Sequence, residues 1–370
     1  MTEYEYMLWL CHIDDMWHIK MQRLLECFGS AKEIFEAKEE TIYKALRKIS
    51  DIYGTKIDIE LETGKIQTAK RNIKNINNII QNMNKKDISF TYYGLGNFPK
   101  RLKLISEPPM VLFYRGELPK EGEKALGIVG ARACTEYGKS ISRKLAAEVS
   151  RYGINIISGM ARGIDSMAHI GCLDSDCKTY AVLGCGVDIC YPCENIELYE
   201  NIRHKGGIIS EYPPGARPLA YRFPLRNRII SGLSDAVVMI EAKEKSGSFI
   251  TIDHALSQGK TVYALPGRVT DPLSIGCNRL ILEGAIPLIN SKQIVDELMP
   301  DSFIKNKKNN IFLEKEYEVV YSCLDLQPTS AEKLAKRLNI SIPEIYEKLL
   351  YLEMNGLILE SSKGQFIKKF

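Results

Sequence analysis

The chain has 370 residues, 45% of them hydrophobic and 26% charged, so we expect two or three domains with substantial buried cores. A formal net charge of only +4 permits nucleic-acid binding but is too small to indicate a dedicated basic protein. No apolar run reaches the length of a membrane span, and the N-terminal stretch MTEYEYMLWL lacks the basic start of a secretory signal. The sequence therefore predicts a cytoplasmic protein without a membrane partner, whose ten cysteines are reduced thiols.

The first 70 residues predict a small helical domain. Within MQRLLECFGSAKEIFEA, apolar residues recur at helical spacing on both sides of a Gly-Ser turn. Residues 71–125 follow as a connecting segment, and their last apolar run, VLFYRG, predicts a lead-in strand.

From 126 to 300, short apolar runs regularly alternate with helical stretches. The runs show no polar alternation, which is typical of parallel strands that are covered on both faces. The expected fold is an α/β domain with a doubly wound, parallel, extended Rossmann-like sheet. Its predicted strands are LGIVG, INIISG, TYAVLGCG, GGIISEYP, AVVMIEA, TVYALPG and AIPLIN, and its predicted helices lie near 136–151, 164–174, 194–204, 226–233, 248–258 and 276–284.

The C-terminal part predicts a linker and a third domain. Residues 301–312 are polar and basic, without periodicity over most of their length, and indicate the linker. Two helices and a hairpin around Lys363-Gly364 then fill residues 313–370, an order that predicts a winged helix.

Glycines and serines follow several predicted strands, at the sheet edge where open parallel sheets bind ligands. Glycine lets backbone N–H groups approach an anion, and a helix N-terminus adds partial positive charge, so these loops together predict an anion site. Any one of them could instead be a plain tight turn. The loop residues concerned are Gly130, Ser158, Gly159, Gly184 and Gly186, with Ser246, Gly247 and Ser248 in KSGSFIT.

Three basic residues near these loops strengthen the prediction. Arg132 follows the first strand of the α/β domain directly, and Arg162 lies in the second glycine loop. Arg162 could equally form an ion pair with Asp165. Lys178 begins the third strand and could therefore lie on the opposite edge of the sheet.

The stretch FPLRNRIISGLS places two more arginines beside an apolar run, where an unpaired charge is costly. Arg226 and Arg228 flank Asn227 and could bind a phosphate. The alternative is that they pair with Glu211 or Glu241, which end neighbouring strands.

Aromatic side chains could add base stacking to phosphate contacts. Phe223 and Tyr221 lie near the predicted site, whereas Tyr180 is expected in the core. No P-loop, nucleophile elbow or metal-ligand cluster is present, since the Cys190–Cys193 pair lacks a second pair at similar spacing. We therefore expect no catalytic residues, no metal and no cofactor.

The ordered motifs of residues 90–290 resemble those of the bacterial DNA-processing protein DprA family, also called Smf. The resemblance implies a single-stranded DNA binding protein of natural transformation that protects incoming strands and helps to load the recombinase RecA. It also implies a homodimer that forms through the α/β domain. The motifs are VGARACTEYG, IISGMARGIDSMAHIGCL, TYAVLGCGVDICYP, IISEYPPG, FPLRNRIISGLSDAVVMIEAKEKSGSFIT, ALPG and GCNRLILEGA.

The resemblance also implies roles for single residues. Arg132, in Gly130-Ala131-Arg132, and Lys178, in KTYAV, match the family's DNA-contacting arginine and lysine. Arg226, Asn227 and Arg228 match its RNR motif. A different class stays open, because the domain is also similar to Rossmann-type nucleotide phosphoribohydrolases, in which a carboxylate such as Glu211 or Glu241 would act on the sugar.

Overall fold

The computed structural model describes residues 1–16, 18–53, 58–175, 177–300, 315–324, 328–354, 357–362 and 364–368. It divides the chain into two compact units, Met1–Ile304 and Lys305–Phe370. The predicted linker at 301–312 lies outside the described residues, as does Lys363 of the predicted hairpin. The finer domain boundaries expected at 70, 125 and 312 stay predictions.

Among the described residues, six α-helices form the N-terminal part of the first unit. Their apolar side chains share one core with the nearest strands, because Leu8 and Leu24 belong to the same buried cluster as Phe113 and Ile208 of the sheet. The ring of Tyr4 also packs edge-on against the sheet, 5.2 Å from that of Phe90. The helices are α1 (Glu3–Cys11), α2 (His18–Phe28), α3 (Ala31–Glu36), α4 (Glu39–Tyr53), α5 (Ile59–Arg71) and α6 (Ile76–Lys85).

A nine-stranded sheet forms the centre of this unit, in the order β1-β2-β6-β5-β4-β3-β7-β8-β9. The pairs β1–β2 and β2–β6 are antiparallel, and the remaining pairs are parallel. The strands are β1 (Ser89–Tyr92), β2 (Val111–Gly116), β3 (Ala125–Val129), β4 (Asn155–Ser158), β5 (Thr179–Val182), β6 (Gly206–Ser210), β7 (Ala236–Met239), β8 (Thr261–Ala264) and β9 (Ile286–Pro287).

Helices cover both faces of the parallel strands, which confirms the doubly wound fold. On β3, Leu126 and Ile128 belong to one buried cluster and Ala125 and Val129 to the other, as the two-residue period of a strand requires. This is why the predicted strands showed no polar alternation. The helices are α7 (Glu136–Ser150), α8 (Ile164–Leu173), α9 (Ile196–Lys205), α10 (Arg222–Leu233), α11 (Ser248–Ser257), α12 (Ile275–Leu282) and α13 (Ser291–Leu298).

The second unit has the element order and pairing of a winged helix. Its strands pair antiparallel in the order β10-β12-β11, and its helices enclose a separate core around Leu334 and Leu349. Among the described residues of either unit, none of the helices combines the length and apolar character that crossing a membrane requires. The elements are α14 (Lys315–Ser322), β10 (Thr329–Ser330), α15 (Ala331–Leu338), α16 (Ile342–Met354), β11 (Ile358–Ser362) and β12 (Gln365–Lys368).

Candidate nucleic-acid interface

The chain winds outward from β3 in both directions, so the loops after β3 and its neighbour β7 diverge and leave a cleft between them. We call this cavity of about 470 Å³ the switch-point cleft. Its walls come from the loop after β3, the loop after β7 and the start of α10. The lining side chains that could contact a ligand include Arg132, Phe223, Asn227, Lys243, Lys245, Ser246 and Ser248.

Arg132 and two lysines supply the exposed positive charge of the cleft. Arg132, Lys243 and Lys245 are exposed, and none of them has an ion-pair partner among the residues that the structure describes. Exposed cations without carboxylate partners can bind anions without first breaking an internal contact.

An aromatic platform lies next to Arg132. Its guanidinium carbon is 5.7 Å from the centre of the Phe223 ring, close enough for a cation–π contact. The Phe223 ring in turn packs on Tyr191, with centroids 5.4 Å apart and an interplanar angle of 35°. Both rings are partly exposed, whereas Tyr180 is fully buried, as expected for a core residue.

The serines after β7 connect the two loops. The hydroxyl of Ser248 donates a hydrogen bond of 2.9 Å to the carbonyl oxygen of Gly130. Ser246 Oγ in turn accepts from the backbone N–H of Ser248 at 3.3 Å. Gly247 is exposed, with room around its α-carbon. Ser246, Gly247 and Ser248 therefore form a loop at the start of α11, as the sequence predicted.

The second glycine loop differs from the expected open anion site. The N–H of Gly159 donates to the carboxylate of Asp165 at 3.1 Å, so its anion comes from the protein itself. The hydroxyl of Ser158 is fully buried and donates to the carbonyl of Ile128 at 2.6 Å. Ser158 and Gly159 thus serve the packing of β4, because their polar groups already have partners.

The third glycine loop, after β5, also makes its contacts within the protein. The N–H of Gly186 donates to the carbonyl of Ala216 at 2.9 Å. A Cβ atom at Gly184 would lie 3.0 Å from the ring of Phe223, so this glycine makes space for the aromatic platform. The expectation that Gly186 offers its amide to a phosphate is therefore wrong in this structure, for the same reason as at Gly159.

Arg226 is a structural residue inside the cleft wall. Only 4% of it is exposed, and its Nη1 donates to the carbonyl oxygens of Val182 and Gly159, the latter at 3.1 Å. These carbonyls end β5 and follow β4, so Arg226 joins two strand ends. Burial lowers the pKa of Arg226 to about 10, although the nearby Asp165 carboxylate favours its charged form.

Arg228 forms the internal ion pair that the sequence left open. Its Nη1 and Nη2 donate to the two oxygens of Glu211 at 2.8 and 2.7 Å, and Nε donates to the carbonyl of Glu107 at 2.8 Å. Burial acts to raise the pKa of Glu211, but the Arg228 guanidinium outweighs it and holds that pKa below its ordinary value. A buried, bidentate arginine cannot also bind DNA, so the prediction of a phosphate contact at Arg228 is corrected.

Glu241 forms an ion pair with neither Arg226 nor Arg228. Its carboxylate accepts from the N–H of Thr135 at 2.8 Å and from the Thr135 hydroxyl, at the start of α7. An anion is favourable at a helix N-terminus, which accounts for this buried acid. Both carboxylates that a phosphoribohydrolase-like site could have used, Glu211 and Glu241, are buried and hydrogen-bonded to the protein.

Two further basic residues lie apart from the cleft walls. Arg162 pairs with Glu194, not with Asp165, through a surface contact in which Nη2 lies 2.9 Å from Oε2. Lys178 directly precedes β5 and pairs with Glu117, so it lies at the amino-terminal edge, opposite Arg132. The expected joint site of Arg132 and Lys178 is therefore not formed within one chain, because parallel strands place these positions at opposite ends.

Comparison with known families shows which family the chain belongs to. The family described as DNA recombination-mediator protein A matches residues 89–299, and the DprA winged helix domain matches residues 310–362. The chain belongs to the DNA recombination-mediator protein A family. The resemblance inferred from the sequence motifs is thereby confirmed.

Relatives extend the family match over most of the chain. Protein Smf of Escherichia coli is 35% identical over 274 residues, which are 70% of this chain and 72% of that protein. DNA processing protein DprA of Bacillus subtilis is 42% identical over 203 residues, 54% of this chain and 68% of that protein.

Solved structures of the family share the fold. The X-ray structure of DprA from Streptococcus pneumoniae is 30% identical with a TM-score of 0.66, and covers 80% of this chain and 98% of its own. DprA from Helicobacter pylori, whose structure is described as showing a unique single-stranded DNA binding mode, is 30% identical with a TM-score of 0.53, covering 58% and 98%.

Lys243 and Lys245 are the site residues that sequence reasoning missed. The motif AKEKSGSFIT contained both, but two lysines in a loop are usually just solvated. The missing information was the strand order, since only the pairing of β7 with β3 brings these lysines to Arg132.

Proposed function

We propose that the switch-point cleft binds single-stranded DNA. The observation that carries the proposal is the combination of Arg132, Lys243 and Lys245 with the adjacent Phe223–Tyr191 platform. Exposed cations neutralise phosphates without reading sequence, and an aromatic face stacks any base. The single-stranded DNA binding mode described for the relative from Helicobacter pylori supports the same function.

Each loop of the cleft has a separate part in this proposal. Arg132 binds a phosphate, and the lysines after β7 bind the phosphates that follow along the strand. Ser246, Gly247 and Ser248 offer polar groups at the start of α11, and the half-buried Asn227 lies beside them. Arg226 positions the wall without contacting DNA.

We also propose a wider role for the protein. A recombination mediator that holds single-stranded DNA would protect incoming strands in natural transformation and transfer them to a RecA-type recombinase. Two copies would act together as a homodimer through the α/β domain. The family description as a recombination mediator supports this role.

The test is a fluorescence anisotropy titration of labelled oligo-dT with the full chain. We expect Arg132→Ala to weaken binding at least tenfold, because it removes both a phosphate contact and the cation on Phe223. Arg143→Ala is the matched control, since this exposed arginine on α7 is paired with Asp174 and does not line the cleft, and it should stay within twofold of wild type. Unchanged affinity for Arg132→Ala, or equal losses for both variants, would contradict this placement of the site.

A further inference from the structure

Helix α16 of the winged helix carries an apolar stripe on its outer face. Ile342, Tyr346, Leu350 and Met354 recur every fourth residue and are 47%, 41%, 58% and 80% exposed. The neighbouring face of the helix, with Ile345, Leu349 and Leu352, fills the core of the unit. Four large apolar side chains in one exposed row are unusual unless something covers them.

The charges beside the stripe are acidic. Glu347, three residues before Leu350, is exposed and Glu353 is half-buried, while the single base of the helix, Lys348, is buried and paired with Glu316 and Glu344. On α15 the exposed charges are mainly basic, with Lys333, Lys336 and Arg337. Acidic groups repel DNA phosphates, so the outer face of α16 does not suit the duplex groove that the corresponding helix reads in DNA-binding helix-turn-helix domains.

We propose that this stripe docks an amphipathic helix of a partner protein, with an apolar seam flanked by lysine or arginine. The apolar rows of the two helices would pack together, and a basic flank of the partner helix would pair with Glu347. Tyr346 borders the wing through an edge-on contact with Phe366, 6.3 Å between ring centroids, which limits the stripe on that side.

A second copy of the chain fits the stripe less well. Pairing α16 with itself would set glutamates of one copy against glutamates of the other, which is unfavourable. Pairing it with α15 of another copy would satisfy the charges, but among the described residues α15 exposes no large apolar side chain. A basic amphipathic helix is therefore the occupant that matches both features.

The probe is a labelled 16-residue helical peptide with leucines at i, i+3, i+4 and i+7 spacing and lysines on both flanks, titrated against the full chain. We expect Leu350→Ala to weaken its binding at least tenfold. Leu282→Ala is the matched control, because Leu282 on α12 is 89% exposed and lies in the other unit. Equal losses for both variants would reduce the effect to non-specific apolar contact and overturn the proposal.

A charge exchange separates the proposal from its alternatives. Glu347→Lys should weaken the lysine-flanked peptide at least fivefold and strengthen a matched glutamate-flanked peptide. The proposal is overturned if both peptides bind alike, if Leu350→Ala instead abolishes self-association in sedimentation, or if it instead reduces affinity for duplex DNA. Oligo-dT binding should be unchanged in every α16 variant, which keeps this test independent of the switch-point cleft.

Discussion

Arg226 and Arg228 lie two positions apart on α10 and have entirely different partners. Arg226 binds carbonyl oxygens at the ends of two strands, and Arg228 binds the carboxylate of Glu211. Two residues along a helix correspond to about 200°, so the side chains leave the helix on nearly opposite sides. The same helical geometry therefore separates a wall residue of the cleft from a residue of the core.

His169 shows how burial fixes a protonation state. Its Nδ1 lies 2.6 Å from Thr179 Oγ1, and the Thr179 hydroxyl itself donates to the carbonyl of Ile156 at 3.1 Å. The imidazole therefore donates through Nδ1, and burial without an anionic partner among the described residues favours the neutral ring. Burial, helped by the charge of Arg226, lowers the pKa of His169 to about 3.

This histidine predicts a loss of stability in mild acid. Between pH 6.5 and 3 the unfolded chain binds a proton at this position that the native state does not, so the free energy of unfolding decreases as pH falls, by up to about 1.4 kcal/mol per pH unit. Burial raises the pKa of Asp165 to about 6. Between about pH 4 and 6 this acid has the opposite effect on the free energy of unfolding, because the native state holds the extra proton.

Replacing His169 should therefore reduce the dependence of the free energy of unfolding on pH. In urea denaturation between pH 7 and 5, we expect His169→Asn to have a lower absolute stability but a smaller decrease with acid than wild type. The exposed His204→Asn variant serves as the control and should keep the wild-type slope. An unchanged slope for His169→Asn would show that folding does not lower the pKa of this imidazole.

At the scale of elements, the loops after β4 and β5 are held closed by the side chain of Arg226. The helix that provides Arg226 packs against the sheet through Ile229, Ile230 and Leu233, all of them buried. Glycine at position 159 is required because a Cβ atom there would lie 2.6 Å from the guanidinium group. The close approach of backbone and arginine therefore depends on the absence of one methyl group.

Two glycine substitutions test this packing. We expect Gly159→Ala to lower the free energy of unfolding by about 1–3 kcal/mol, because Arg226 cannot move without losing its two carbonyl partners. Gly247→Ala should change it by no more than about 0.5 kcal/mol, since among the described residues none beyond the chain neighbours lies within 4 Å of the added Cβ, and the φ of Gly247 is −63°. Urea denaturation of both variants measures the difference, and similar losses would show that Arg226 adapts freely.

Sequence patterns predicted the elements well and the partners of single side chains poorly. The six predicted helices of the α/β domain begin within four residues of their observed starts, because periodicity is a local property. Arg132 was placed at the correct edge for the same reason, since it directly follows a strand. The Gly159–Asp165 bond and the Arg228–Glu211 pair depend on which loops meet in space, and a single sequence does not contain that information.

At the scale of the whole molecule, the chain consists of two units with separate cores. The switch-point cleft lies entirely in the first unit, whereas the apolar stripe of α16 lies entirely in the second. Each unit can therefore have its own partner. The proposed single-stranded DNA site and the proposed protein-docking site share no residue.

Truncation tests this independence. A chain that ends at Ile304 should bind oligo-dT within twofold of the full chain, because every proposed contact is retained. Adding Arg132→Ala to the truncated chain should then reduce binding at least tenfold, as in the full chain. A tenfold loss on truncation alone would instead place essential DNA contacts in the winged helix.

The strand β9 has a consequence for how copies of this protein can assemble. It is only two residues long, and its neighbour Leu288 donates to the carbonyl of Ala264 on β8, so the alternate residue Pro287 faces outward. Proline has no N–H, and a further strand added at this edge would lose a hydrogen bond there. Pro287 therefore disfavours the pairing of a further strand, including one from a second copy, at this edge of the sheet.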